Sequence, residues 1–214
     1  MDGDRFRQQV DPAQAAVVTV ELQRGVVEPG GVLPALAEAV QADGLLGRVG
    51  QLCAAAREAG AHVVHCTAEF RPDGLGAAVN SRLMAVNARV RRDHGVGPTD
   101  IGTPGVEIVP EVGLADRDLI VPRMQGLTPF TATPLDQVLR NLGVRTVIAT
   151  GVSLNLAIFG LVLSAVDLGY QVVLPRDGVV ALPAAYGDAV IENSLSLVAT
   201  VTTVDDIVRA WKGA

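Results

Sequence analysis

The hydrophobic positions of this chain fall into short, uninterrupted runs, and longer segments with a helical pattern lie between them. The runs are rich in Val, Ile and Ala and do not alternate with polar residues, which is typical of strands buried on both faces of a parallel sheet. Six runs predict strands, at 15–22, 61–68, 118–122, 144–151, 170–175 and 199–203. Their alternation with helices predicts an α/β fold, a single-domain, Rossmann-like, doubly wound sheet of about six parallel strands flanked by helices.

The segments between the runs begin and end with residues that favour helix termini. The pattern predicts helices at 35–60, 78–92, 134–143, 154–168, 183–198 and after Thr203. Gly60, Gly143 and Gly169 stand where such helices stop, and Thr203 is a favourable N-cap residue. The rest of 69–117 predicts a long loop, which inside a compact domain is usually functional or covered by a partner. We interpret residues 1–14 as a polar N-terminal arm of one domain that spans 1–214.

Composition narrows the class of protein. Hydrophobic residues make up 49% of the 214 positions but aromatic residues only 3%, so Ala, Val and Leu must fill the core. The net charge of −6 argues against nucleic acid as a partner. No run of 18 or more apolar residues predicts a membrane span, and the polar start does not resemble a signal peptide. With only two cysteines, the expected location is a reducing cytoplasm.

Candidate chemistry lies where the predicted strands end, because ligands of parallel α/β sheets bind beyond the carboxyl ends of the strands. Glu21 and Gln23 follow the first strand, Arg123 follows the third, and Ser153 and Asn155 follow the fourth. A carboxylate at the rim of a buried sheet needs a partner, and Arg123 is a plausible one for Glu21. This pair has two interpretations, a functional site or a structural ion pair between two strand ends.

Several segments, read in chain order, resemble the isochorismatase-like, or cysteine hydrolase, superfamily, which includes nicotinamidases and N-carbamoylsarcosine amidases. AVVTVELQRG resembles the first strand of the family, and GTPGVEIVPE resembles the loop before the third strand. VPRMQGLTPFTATPLDQVLRNLG resembles the segment that carries the catalytic lysine. GVSLNLAIFG resembles the nucleophile elbow, the turn that presents the catalytic cysteine. The resemblance covers roughly residues 15–205.

The catalytic set implied by this resemblance is substituted at every position. The aspartate of the family falls on Glu21, the lysine on Arg123 and the cysteine on Ala157. The turn therefore resembles a nucleophile elbow that lacks its nucleophile. The peptide bond between Val152 and Ser153 corresponds to a cis bond of the family, beside its oxyanion site.

A methyl group excludes nucleophilic catalysis by Ala157, but an acid and a cation remain. Some members of the isochorismatase branch lack the cysteine and hydrolyse a vinyl ether, with the strand-one carboxylate as general acid. The resemblance assigns that role to Glu21, while Arg123 can hold a substrate carboxylate with two hydrogen bonds. Cys66 is either a relocated nucleophile or a small buried apolar residue.

Residues near the turn and the strand ends complete the predicted site. The predicted substrate-binding residues are Gln23, Phe70, Phe130, Val152, Ser153, Leu154, Asn155 and Leu156, with Leu127 and Phe159 as further apolar walls. Phe130 has an alternative interpretation as a core residue. We expect no cofactor and no metal, because Arg71 stands where nicotinamidase-type members carry their first metal-binding histidine, and His62 and His65 are predicted to point to opposite faces of their strand.

Three functions remain open from the sequence. The first is a cysteine-independent hydrolase of the isochorismatase type, acting on a small molecule that carries a carboxylate. The second is a catalytically silent protein that binds a small molecule, and the third is a scaffold subunit. Because members of the family are commonly oligomers, we expect a homo-oligomer.

Overall fold

All strand pairings of the central sheet are parallel in the computed structural model, which describes residues 3–213. The strands are β1 Ala15–Val20, β2 His62–Ala68, β3 Leu119–Arg123, β4 Thr146–Val152, β5 Gln171–Pro175, β6 Val179–Val180 and β7 Thr200–Thr202. Six of them lie in the order β3-β2-β1-β4-β5-β7, and β6 pairs with the end of β4. The sheet confirms the predicted α/β fold, and the two-residue β6 is too short to have been recognised from a hydrophobic run.

Helices cover both faces of the sheet. They are α1 Gly3–Gln9, α2 Arg24–Val27, α3 Pro34–Asp43, α4 Leu45–Ala59, α5 Arg82–His94, α6 Leu135–Asn141, α7 Phe159–Asp167, α8 Ala184–Asn193 and α9 Val204–Lys212. Because side chains alternate along β1, Ala15 and Val17 pack in a core with α3, α4 and α9, while Ala16 and Val18 pack in a second core with α6, α7 and α8. None of the helices within residues 3–213 combines the length and hydrophobicity needed to cross a membrane.

Two helix predictions were wrong in their extent. The helix predicted over 35–60 is divided at Gly44, which has a φ of 76° and donates its N–H to the carbonyls of the last turn of α3. This left-handed conformation ends a helix and is accessible to glycine at little cost. The helix predicted over 183–198 ends at Asn193, and a short 3-10 turn, Leu195–Leu197, follows it.

Two other predicted helices begin differently from the pattern. The one predicted over 154–168 starts as a π-helical turn, Leu154–Ile158, before α7. The one predicted over 78–92 starts at Arg82, because the hydroxyl of Ser81 accepts the N–H of Met84 and caps α5.

The loop that follows α5 is tied to the carboxyl ends of the strands by backbone hydrogen bonds. Phe70 N–H donates to Thr99 O over 3.0 Å, and Ile101 N–H donates to Phe70 O over 2.8 Å. Val109 N–H donates to Leu22 O over 3.1 Å. These hydrogen bonds attach the predicted loop to the sheet, and α5 lies over the edge of the sheet where ligands bind in such folds.

Candidate active site

Glu21 and Arg123 meet across the carboxyl ends of three neighbouring strands. The register pairs Val20 of β1 with Cys66 of β2, and Ala68 of β2 with Arg123 of β3. Glu21 has a φ of 54° and donates its backbone N–H to Cys66 O over 2.8 Å. Its carboxylate accepts a hydrogen bond from Nη2 of Arg123, so the expected ion pair is present.

The guanidinium of Arg123 is nearly enclosed, with 4% of the side chain exposed. Nη2 binds Glu21, and Nε donates to Gly126 O over 3.3 Å. Nη1 is buried and has no hydrogen-bond partner among the described residues. A buried donor without a partner costs about 1–3 kcal/mol, so an acceptor from a ligand would be stabilised here.

Beside this pair lies a cavity with mostly apolar walls. Seven of the residues predicted for the site line it: Glu21, Phe70, Arg123, Leu127, Ser153, Leu156 and Ala157. The remaining lining residues are Val26, Val32, Leu33, Leu36, Ala68, Leu83, Met84, Asn87, Thr99 and Gly126. Apolar walls with a few polar groups are the usual form of a small-molecule site.

The turn after β4 brings Ala157 to this cavity. The peptide bond between Val152 and Ser153 is cis, as the resemblance implies, and the π-helical turn follows it. Ala157 is 4% exposed, and its methyl group faces the same space as Glu21 and Arg123. At this point of the wall the chain therefore offers no nucleophilic atom.

Two other predicted site residues, Gln23 and Asn155, do not line the cavity but hydrogen-bond to the backbone around it. Gln23 is fully buried, and its amide binds both the carbonyl and the N–H of Ala68, over 2.9 and 2.7 Å. Asn155 binds the backbone of Leu182 through both amide atoms, each over 3.3 Å. The structure thus places these two amides where they fix β1 to β2 and the elbow to its neighbouring loop.

Four apolar residues of the prediction also lie outside the lining. Val152 and Leu154 are buried in the two cores. Phe130 packs against the second core and stacks on Tyr170, with ring centroids 6.0 Å apart, which agrees with its alternative interpretation as a core residue. Phe159 packs against the same core.

Neither of the two thiols lines the cavity. Burial raises the pKa of Cys66 to about 12 and that of Cys53 to about 12. Neither thiol forms a thiolate near neutral pH, and Cys66 is 2% exposed. The interpretation of Cys66 as a small buried residue therefore agrees with the structure better than that of a relocated nucleophile.

Histidine and acidic side chains do not gather into a metal site in residues 3–213. His65 is buried within the sheet, where its ring nitrogens face Thr19 Oγ1 at 2.8 Å and Asp118 Oδ2 at 3.4 Å. Arg71 pairs with Asp73 at the surface.

Sequence reasoning missed the part of the wall that comes from the helices. Met84 and Asn87 reach the cavity from α5, and Val26 and Leu36 reach it from α2 and α3. A signal was present for the first two, because residues three apart share one face of the predicted helix over 78–92. The spacing does not indicate which face of this helix turns towards the strand ends.

Comparison with known proteins places this architecture in a family. Residues 15–206 match the isochorismatase domain, and the chain belongs to the isochorismatase family. It is similar to ureidoacrylate amidohydrolase RutB of Variovorax paradoxus (strain S110), with 27% identity over 210 residues that cover 94% of this chain and 83% of the relative.

Solved structures show the same fold. An isochorismatase family protein from Desulfovibrio vulgaris subsp. vulgaris str. Hildenborough superposes with a TM-score of 0.79 at 26% identity, covering 92% of this chain and 98% of that one. A cysteine hydrolase from Pseudomonas syringae pv. phaseolicola 1448A has a TM-score of 0.79 at 23% identity, covering 96% and 95%.

Proposed function

We propose that this protein is a hydrolase of the isochorismatase family that acts without a cysteine nucleophile, with Ala157 at the position of the lost cysteine. Its substrate is a small molecule that carries a carboxylate. The observation that carries the proposal is the Glu21–Arg123 ion pair at the cavity wall, where Nη1 of Arg123 is buried and has no hydrogen-bond partner within residues 3–213.

Arg123 is suited to hold the substrate, since a guanidinium stays charged and can bind a carboxylate with two parallel hydrogen bonds. Nη1 is available for one of them, and the second requires Nη2 to exchange Glu21 for the substrate. That exchange releases the carboxylate of Glu21 for proton transfer, next to a substrate that Arg123 has positioned.

Hydrolysis then needs only water and one titrating group. As the oxygen of water bonds to the carbon of the scissile bond, the carboxylate of Glu21 accepts the proton that water loses. Glu21 then gives this proton to the departing heteroatom and is left ionised again. Amides and ureido acids are the first classes to test, because RutB is named for ureidoacrylate amidohydrolysis.

A product screen by mass spectrometry tests the proposal. Wild type, Glu21→Gln and Ala157→Cys are incubated with small primary amides, N-carbamoyl amino acids, cyclic imides and isochorismate. We expect Glu21→Gln to lower kcat by about 10²–10⁴-fold. The matched control is Glu58→Gln, on the exposed surface of α4, which should turn over like wild type. Unchanged turnover in Glu21→Gln overturns the acid–base role.

Binding without turnover is the second candidate. This candidate is favoured by the lack of a nucleophile at three positions. Ala157 contributes only a methyl group to the cavity wall, and the thiols of Cys53 and Cys66 are buried and protonated. This candidate predicts a silent wild type that binds its ligand saturably, and product that first appears in Ala157→Cys.

A further inference from the structure

Three buried side-chain polar atoms lack a hydrogen-bond partner in the part of the chain that the structure describes. One is Nε of Arg24, which faces Glu107 at 3.2 Å, and the other two, of opposite character, belong to residues of the same cavity. Nη1 of Arg123 is a charged donor, and Oδ1 of Asn87 is an acceptor. Buried polar groups are nearly always paired, so each unpaired atom requires an explanation. A ligand that offers an acceptor to one and a donor to the other would pair both.

Asn87 is held in place by the attachment of its helix. Ser81 caps the start of α5, and near its end Arg91 forms an ion pair with Asp100, whose side chain is fully buried. The guanidinium of Arg91 also lies over the ring of Phe70, 5.7 Å from its centroid. An acceptor on an element fixed at both ends is preorganised for binding.

The rest of the cavity wall indicates the middle of the ligand. It is mostly apolar and includes Val26, Leu36 and Leu156, from three parts of the chain. Such a surface suits a short chain of methylene or methine carbons and leaves a further charge there without a partner.

We propose that Asn87 is a specificity-determining residue, which accepts a hydrogen bond from an N–H group of the ligand while Arg123 binds its carboxylate. The ligand class is a short aliphatic carboxylate with a primary amide or ureido group at the other end. This inference rests on the proposed function only in taking this cavity as the substrate site, because it concerns binding and not turnover.

Isothermal titration calorimetry with three small molecules tests it on the wild-type protein. Succinamate carries the carboxylate and the amide N–H, levulinate replaces the amide NH₂ by a methyl group of similar size, and succinamide replaces the carboxylate by a neutral amide. We expect succinamate to bind about tenfold more tightly than levulinate, and succinamide to bind more weakly than succinamate by at least as much.

The variant Asn87→Leu tests whether Asn87 causes the preference for the ligand that carries an N–H group. It should bind succinamate and levulinate equally, and the control Arg89→Leu, on the exposed face of α5, should keep the wild-type ratio. Thermal unfolding confirms that each variant is folded, and the wild-type comparison does not depend on any variant.

Each outcome separates this inference from the proposed function. Equal affinity of the wild type for succinamate and levulinate, or no binding of either, overturns the inference. A wild-type preference that persists in Asn87→Leu also overturns the role of Asn87. Selective binding of succinamate without any product supports the inference about Asn87. It contradicts only the proposed hydrolytic activity.

Discussion

Gly151 is the residue that lets the elbow strand approach the strand of Glu21. It has a φ of 110°, and it lies opposite Val20 in the parallel pairing of β1 and β4. A Cβ at this position would overlap the carbonyl oxygen of Val20. We expect Gly151→Ala to lower the free energy of unfolding by roughly 3 kcal/mol, from left-handed strain and backbone overlap together. Urea denaturation measures this loss.

The same substitution at Gly47 is the matched control. Gly47 is exposed within α4, and a Cβ there would contact nothing within 4 Å. Gly47→Ala should therefore raise the free energy of unfolding by about 0.5–1 kcal/mol, because alanine has fewer conformations to lose on folding. Equal effects of the two substitutions would contradict the role assigned to Gly151.

Single residues also show what the sequence could and could not predict about the site. Glu21 and Arg123 were predicted to meet, because the carboxyl ends of parallel strands share one edge of the sheet. Gln23 follows the same strand but binds the backbone of Ala68. The turn of the chain after Glu21, which has a φ of 54°, decides which of these side chains faces the cavity, and no local pattern encodes that turn.

At the scale of elements, strands were the most predictable feature and helix boundaries the least. A strand buried on both faces must be apolar at every position, and this requirement is visible in the sequence itself. The break at Gly44 is a local left-handed cap inside a continuous helical pattern, whereas the placement of α5 over the cavity depends on tertiary contacts, such as the pair between Arg91 and Asp100. The residues of the cavity that sequence reasoning missed come from such elements.

The ion pair between Arg91 and Asp100 attaches α5 to the loop beneath it. Asp100 accepts hydrogen bonds from Nε of Arg91 over 3.1 Å and from Gly97 N–H over 2.6 Å, and its side chain is 0% exposed. Arg91→Met leaves this buried carboxylate without its cation, so we expect a loss of roughly 3 kcal/mol in the free energy of unfolding. Hydrogen exchange should accelerate in α5 and around Asp100.

Arg92 is the matched control for this prediction. It pairs with Asp93 at 3.5 Å, but the two side chains are 70% and 54% exposed. Surface pairs of this kind contribute little, so Arg92→Met should change the stability by less than about 0.5 kcal/mol and leave exchange in α5 unaltered. If both variants behaved alike, α5 would be held by its apolar contacts and not by the buried ion pair.

We expect the stability of the whole molecule to depend on pH through a buried network, His65, Asp118 and Arg57, that lies apart from the cavity. Burial lowers the pKa of His65, and the hydrogen bond to Asp118 offsets this only in part. Burial opposes ionisation of Asp118, but hydrogen bonds from Arg57 and from Ala115 N–H bring its pKa below the usual value. Both groups thus bind protons more weakly in the folded than in the unfolded chain.

The direction of the pH effect follows from these two shifts. A histidine with a depressed pKa contributes its full stability above the unfolded value of about 6.5, and the contribution is lost as the pH falls below it. Asp118 adds a further loss below about pH 4.

We expect the free energy of unfolding, measured with urea between pH 7.5 and 5, to decline as the pH falls. His65 contributes at most about 1.4 kcal/mol per pH unit to this decline. The decline should be smaller in His65→Gln and should persist in the control His62→Gln, since His62 is only half-buried at the start of β2. A decline of equal slope in wild type and His65→Gln would place the acid sensitivity outside this network.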